Sequence, residues 1–322
     1  MVVEQQWSGG SLRQLVKQRG QPLSQCHVSV NDQMQALTSR IIKQLGYERI
    51  IKAPNCGRVI VPGLAYTDFH GNASPRPWNV MDIIDSTQIC LINPTDGGES
   101  FLGLNQLFGE TDSFMVTAKM DLSEQLHDEA VVKAPLCTDT TVSHVGKSTI
   151  VMDSVMTSGS VPLVKYRSNS IILDRNSKKP VEIPQQWKST YGHLCTGEPM
   201  KFSALERPSD KTRVSNVFAG QVSYSDIDAN RHVHFSNYLK YCCEGLVKGQ
   251  TTQSTIAFQP LKLKSAFMWY RQECNFGDAI QLDFWEHETK PGAICVDMLK
   301  NGESVFQCVL ELYTASPINS SL

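Results

Sequence analysis

The sequence predicts an α+β protein made of two copies of one unit, each an antiparallel sheet wrapped around a long buried helix. Three observations lead there. Tyr66, Asp68, Asn72 and Asn79 recur as Tyr224, Asp226, Asn230 and Asn237 at one constant offset of 158 residues. Behind each set runs an apolar stretch, Trp78 to Ile92 and Tyr238 to Leu246, whose apolar residues lie on most faces of a helix, as a helix enclosed by a sheet requires. Strand-like runs with hairpin signals close each copy, Asn301-Gly302 between Val296 and Val305 being the sharpest, and hairpins imply antiparallel pairing.

Taken in order, residues 1–27 are polar and broken by Gly9-Gly10 and Pro22, which suits a flexible lead. Met34, Leu37, Ile41 and Leu45 then recur at helical spacing between Asn31, a candidate cap, and Gly46, a candidate stop. The first copy is assigned to residues 56–174, after a lead and helix over 1–55. It opens on the strand Val59, Ile60, Val61, followed by the polar turn and the Trp78 helix. Thr95 to Gly109 reads as a Gly-rich loop. Strands are expected at Phe114 to Leu122, Ala130 to Leu136, Val142 to Met156 and Leu163 to Leu173. Residues 175–215 carry the Pro, Gly and Lys content of a linker long enough to cross the first copy, with a short helix near Gln185 to Tyr191. The second copy, 216–322, begins with a strand through Val217 and Val222. It then turns and enters a helix for which Ser236 offers a capping hydroxyl. It ends in three strands marked by Ile280, Leu282 and Phe284, by Val296, and by Phe306, Cys308, Leu310 and Leu312.

Composition narrows the function classes. The 322 residues are 41% hydrophobic with a net charge of −2, which fits an ordinary globular chain long enough for two domains. The 30 Lys and Arg are scattered without interleaved aromatics, so nucleic acid is not an expected partner. No stretch approaches the ~20 apolar residues of a membrane span. The first residues lack both a secretory pattern and an Arg- and Ser-rich transit segment, so a cytoplasmic address is expected. The ten Cys, including adjacent Cys242-Cys243, show no metal spacing. They are expected to be reduced core thiols, and no cofactor is implied.

The chemistry concentrates in residues 224–241. Asp228, Asn230 and His232 fall on alternate positions, so an extended backbone aims a carboxylate, an amide and an imidazole the same way beside a helix N-terminus. The segment Asp228-x-Asn230-x-His232 plus helix resembles the active-site segment of the plant plastid acyl-ACP thioesterases, members of the hotdog-fold thioesterases. Downstream, Tyr270-Arg271-Gln272-Glu273-Cys274 resembles the Tyr-Arg-x-Glu-Cys strand of that family, whose Glu is counted with the active site. Asp226 and Asp228 also resemble the turn of the hydroxybenzoyl-CoA thioesterase group, in which the second Asp is catalytic. The general layout is similar over residues 55–315, and residue-level likeness is confined to the last third. The resemblance implies a double hotdog and an acyl thioesterase acting on an acyl thioester of acyl carrier protein or CoA. Its site residues would be Asp228, Asn230, His232 and Glu273. The chain would be a monomer with pseudo-dimeric repeats, or a homodimer. The missing transit segment departs from the plant family.

The copies differ at these positions. His70 stands opposite Asp228 and Ser74 opposite His232, while Glu124 or Gln125 stands opposite Glu273 according to register. One working site per chain is therefore expected, with the first copy serving binding. Cys274 should point away from Glu273 if both lie on a strand, and is read as a core thiol. His234 is set aside because the helix should already have begun there, and Tyr224 and Trp269 are expected to pack. Two other classes stay open: a dehydratase using His70 with Asp228, and a non-catalytic acyl-binding module.

Overall fold

The structure, a computed structural model, describes residues 39–70, 73–93, 99–209, 215–228, 231–253 and 261–313. Among the described residues, eleven strands form one continuous antiparallel sheet in the order β1-β2-β4-β5-β6-β3-β8-β11-β10-β9-β7. In chain order the strands are β1 Glu48–Ala53, β2 Cys56–Val61, β3 Thr111–Leu122, β4 Leu136–Val145, β5 Thr149–Ser158, β6 Val161–Asp174, β7 Ser215–Gln221, β8 Leu263–Tyr270, β9 Ala279–Glu286, β10 Ala293–Lys300 and β11 Glu303–Leu312. Besides a helical stretch over 39–45, the helices among the described residues are α1 Pro77–Ile92, α2 Leu104–Glu110, α3 Glu124–His127, α4 Gln185–Tyr191 and α5 Phe235–Gln253.

The sheet order mirrors itself about β3 and β8, where the two halves join. Ala118 pairs with Met268 and Met120 with Ala266, so the strands cross symmetrically at Lys119 and Phe267. The antiparallel sheets expected of the two copies are paired edge to edge into one, and this pairing satisfies two strand edges that would otherwise be left open.

The offset of 158 reappears as backbone geometry. His70 N–H donates to Ser74 O at 2.8 Å and Asp228 N–H to His232 O at 2.9 Å. Arg76 N–H reaches Asp68 O at 2.7 Å and His234 N–H reaches Asp226 O at 2.9 Å. The bridges Phe69–Pro75 and Ile227–Val233 keep the same offset. Both turns bend through a non-Gly residue of positive φ, 61° at Ala73 and 68° at Arg231.

Each half lays one long helix on the sheet. Pro77 at the first helical position starts α1, since its missing N–H would have had no partner there. Val80, Met81, Ile84, Cys90 and Leu91 are buried, while Gln88 is satisfied by Ser154 Oγ at 3.0 Å. On α5 the buried set is Tyr238, Leu239, Tyr241, Cys242, Cys243 and Leu246. Gly245 lets α5 approach β9. A Cβ there would lie 2.8 Å from both Leu282 Cδ1 and Phe284 Cζ. Gly245→Val is expected to cost about 1–3 kcal/mol by overpacking. It should lower the urea midpoint with an unchanged slope, and an unchanged midpoint would mean that α5 lifts away without penalty.

Several expectations need correction. Residues 48–53, placed in the lead, form β1 and pair with β2. Within the Gly-rich stretch, Leu104–Glu110 is helical, because Leu102, Leu104 and Leu107 are buried and Trp187 Nε1 of α4 donates to Leu102 O at 2.8 Å. Residues 130–135 are not a strand; Asp128 Oδ1 accepts the Ala130 N–H at 2.9 Å and turns the chain. Val142 to Met156 is two strands, β4 and β5, split at Gly146. Residues 39–45 are helical, but Ile42 enters the core while Ile41 and Leu45 are exposed; Met34 and Leu37 lie outside the described residues. The linker crosses the sheet's outer face from β4 into the second half. Gly197 N–H bonds Ser143 O, Phe202 stacks on Trp269, Leu205 bonds Gln307, and Arg207 reaches the buried Asp283 at 2.7 Å.

Candidate active site

The turn after β7 closes on itself. Asp228 N–H donates to His232 O, Arg231 N–H to Asp228 O at 3.0 Å, and His232 N–H to Asp228 Oδ1 at 3.3 Å. Asp228 and His232 therefore meet because the chain folds back, and not through the alternation of an extended backbone. Asn230 lies outside the described residues. Helix α5 starts at Phe235, so Ser236 sits inside it, with its hydroxyl 2.9 Å from His234 Nδ1.

The second segment arrives from beyond β8. The Val233 N–H donates to Cys274 O at 2.8 Å, the Cys274 N–H to Tyr238 Oη at 2.9 Å, and Lys300 Nζ to Glu273 O at 2.8 Å. Tied on three sides, the loop presents Glu273 to the turn, and His232 Nε2 lies 3.1 Å from Glu273 Oε2. Cys274 faces the other way, 1% exposed, and burial raises its thiol. A buried thiol with a raised pKa makes a poor nucleophile. Cys274→Ala is expected to keep most of the turnover in a thiol-release assay, and its loss would place the thiol in the chemistry.

His234, set aside on sequence grounds, lines a cleft of about 320 Å³ together with Asp82, Asp85, Ser86, Ser225, Asp226, Ile227, Asp228 and Asn237. Its Nδ1 is 3.1 Å from Asp82 Oδ1 and its Nε2 is 3.5 Å from Asp85 Oδ2, both on α1. Nδ1 is shared with the Ser236 hydroxyl, so Asp82 acts through its charge more than through an aligned hydrogen bond. Burial alone would lower the imidazole, but the two carboxylates outweigh it and hold the pKa up at about 10. His234 is therefore a cation at neutral pH, clamped between the halves. The buried Asp226 is held by Lys240 Nζ and the Tyr241 hydroxyl, each at 2.8 Å. Tyr224, expected to pack, is 80% exposed.

In the first half, the partner of Ser74 is neither Glu124 nor Gln125. Ser74 Oγ lies 3.3 Å from His127 Nδ1, and His127 Nε2 donates to Leu263 O at 2.9 Å. Both side chains are buried, so the position equivalent to the His232–Glu273 pair is sealed. Among the described residues no three His, Cys, Asp or Glu converge as a metal site, and no helix is long and apolar enough to cross a membrane.

Residues 209–312 match the family profile described as the acyl-ACP thioesterase C-terminal domain. No curated protein sequence matches the chain. Among solved structures it is similar to the 12:0-ACP thioesterase of Umbellularia californica, with TM-score 0.59 and 12% identity over 82% of this chain and 99% of that one. It is also similar to an acyl-ACP thioesterase of Bacteroides thetaiotaomicron, with TM-score 0.55 and 16% identity over 80% and 98%. At such identities these structures carry the hotdog fold alone. The domain match spans the Asp228 turn, α5 and Glu273, so residues 209–312 are similar to the C-terminal domain of the acyl-ACP thioesterases.

Proposed function

We propose that the chain hydrolyses an acyl thioester, carried on acyl carrier protein or CoA, to free acid and thiol by carboxylate-assisted attack of water. The observation that carries this is the 3.1 Å contact of His232 with Glu273, one turn away from Asp228 at the edge of a cleft. Asp228 or Glu273 takes a proton from water as its oxygen bonds the acyl carbon. His232 orients that water or carboxylate, and the C–S bond breaks to release a thiolate that needs no strong acid. Asn230 takes its role from the motif. The developing oxyanion falls to the start of α5. Asn237 of α5 lines this cleft together with Asp228, and also borders the adjoining cavity, which Arg76, Trp78 and Asn79 at the start of α1 line without reaching the cleft.

The two halves act as the two units of a double hotdog, divided near residues 175–215, with the catalytic set in the second. Support comes from the mirrored strand order and the hydrogen bonds repeated at offset 158. A dehydratase would bring His70 and Asp228 into one site, yet they line different cavities.

The test is incubation of the purified chain with acyl-CoA and acyl-ACP while free thiol is trapped. Thiol release is the expected result. A change in ultraviolet absorbance without thiol would favour the dehydratase, and neither signal would leave binding alone.

A further inference from the structure

Glu273 lies in the connection between β8 and β9, and its side chain is 46% exposed. Among the described residues the charged group that meets its carboxylate is His232. A half-exposed glutamate has several rotatable bonds, so the place of its carboxylate depends on how firmly the backbone beneath it is fixed.

One hydroxyl spans that backbone. The Tyr238 hydroxyl of α5 accepts the Cys274 N–H at 2.9 Å and donates to Gln272 O at 3.3 Å. It therefore joins the residue before Glu273 to the residue after it. On its carbonyl side Cys274 accepts the Val233 N–H at 2.8 Å, one residue from His232. Tyr238 is in this way linked through Cys274 to the turn that carries the imidazole. Val305 O receives the Arg271 and Gln272 N–H groups at 2.9 and 3.1 Å, and Lys300 Nζ holds Glu273 O at 2.8 Å.

The hydroxyl is itself aimed. The Tyr238 ring is buried against Tyr270 and Phe306, with centroids 5.5 and 5.2 Å away. Burial raises the phenol, which keeps it a neutral donor and acceptor. The offset of 158 places Val80 of α1 opposite Tyr238, and Val80 is buried as well. A long helix therefore packs on its sheet at this position without a hydroxyl. The hydroxyl occurs in the half that carries Glu273 and is missing from the half where Ser74 and His127 seal the corresponding position.

We propose that Tyr238 is a positioning residue for thioester hydrolysis, its hydroxyl fixing the backbone from Gln272 to Cys274 so that the Glu273 carboxylate meets His232. The consequence for turnover rests on the hydrolase reading; the hold on the loop does not.

The experiment is a double-mutant cycle of Tyr238→Phe with Glu273→Gln in the full chain. It is read by single-turnover thiol release from acyl-CoA and acyl-ACP and by hydrogen–deuterium exchange. Tyr238→Phe keeps the ring and removes the hydroxyl. It is expected to lower the rate on the order of 10–100-fold, with the half-saturating substrate concentration unchanged. In the Glu273→Gln background the same change should cost less than about twofold, because no carboxylate is left to place. A peptide spanning residues 271–276 should exchange faster in Tyr238→Phe, while one from β5 exchanges as in wild type. An equal fold loss in both backgrounds would show general damage and overturn the proposal, as would a wild-type rate or wild-type exchange in Tyr238→Phe. Failure of the hydrolase reading looks different: the wild-type chain releases no thiol. Faster exchange over 271–276 would then still uphold the hold on the loop, and equal exchange would overturn it.

Discussion

Asp228→Asn and Glu273→Gln are each expected to lower turnover on the order of 10²–10⁴-fold, the range contributed by a general base. Both replacements keep shape and a hydrogen-bonding oxygen. An Asn at 228 still accepts the His232 N–H that Asp228 Oδ1 accepts at 3.3 Å, and a Gln at 273 still meets the His232 ring. What each loses is a charge able to take a proton. The effect should therefore appear in kcat, with the urea midpoint preserved. If both variants keep kcat within a few-fold of wild type, the base lies elsewhere.

His234→Gln is expected to destabilise the chain strongly below about pH 6.5 and progressively less toward pH 10. The imidazole has its ordinary pKa of 6.5 when unfolded and about 10 when folded. A raised folded pKa gives stability that is fully present below the unfolded value and lost as pH rises through the folded one. The shift sets a ceiling of about 5 kcal/mol. Because Asp82 is 46% exposed, solvent screening reduces this to about 2–3 kcal/mol. Asp82 and Asp85 from α1 face the ring, Ser236 from α5 shares Nδ1, and Asp226 and Asp228 border the same cleft. Denaturation midpoints of both proteins across pH 6 to 10 measure the gap, and a gap independent of pH would mean that His234 serves only by packing.

The residues legible in the sequence are those whose structure is decided locally. Pro77 and the apolar run behind it mark α1, Gln185 to Tyr191 forms α4 as expected, and Asn301-Gly302 makes its hairpin with φ of 54° and 82°. The turn repeat was legible because its Tyr, Asp and Asn positions are the same in both halves, and among them Asn79 bonds Asp68 as Asn237 bonds Asp226. His234 was missed because its partners lie on α1, in the other half of the chain, where no local period reaches. The offset itself held the signal: His234 falls on Arg76, cation on cation, while Asp82 falls on Lys240. Helix α2 was hidden for a similar reason: Leu104 and Leu107 are buried by the tertiary fold, and the Leu102 carbonyl just before the helix is held by Trp187 of α4.

The central claim is that water, activated by a carboxylate, attacks the thioester carbonyl. A single turnover with enzyme in excess in oxygen-18 water tests it directly, by mass spectrometry of the released acid and of the peptides bearing Asp228 and Glu273. The account predicts acid carrying one labelled oxygen and unlabelled peptides. Unlabelled acid with label in either peptide, or no acid at all, would contradict it.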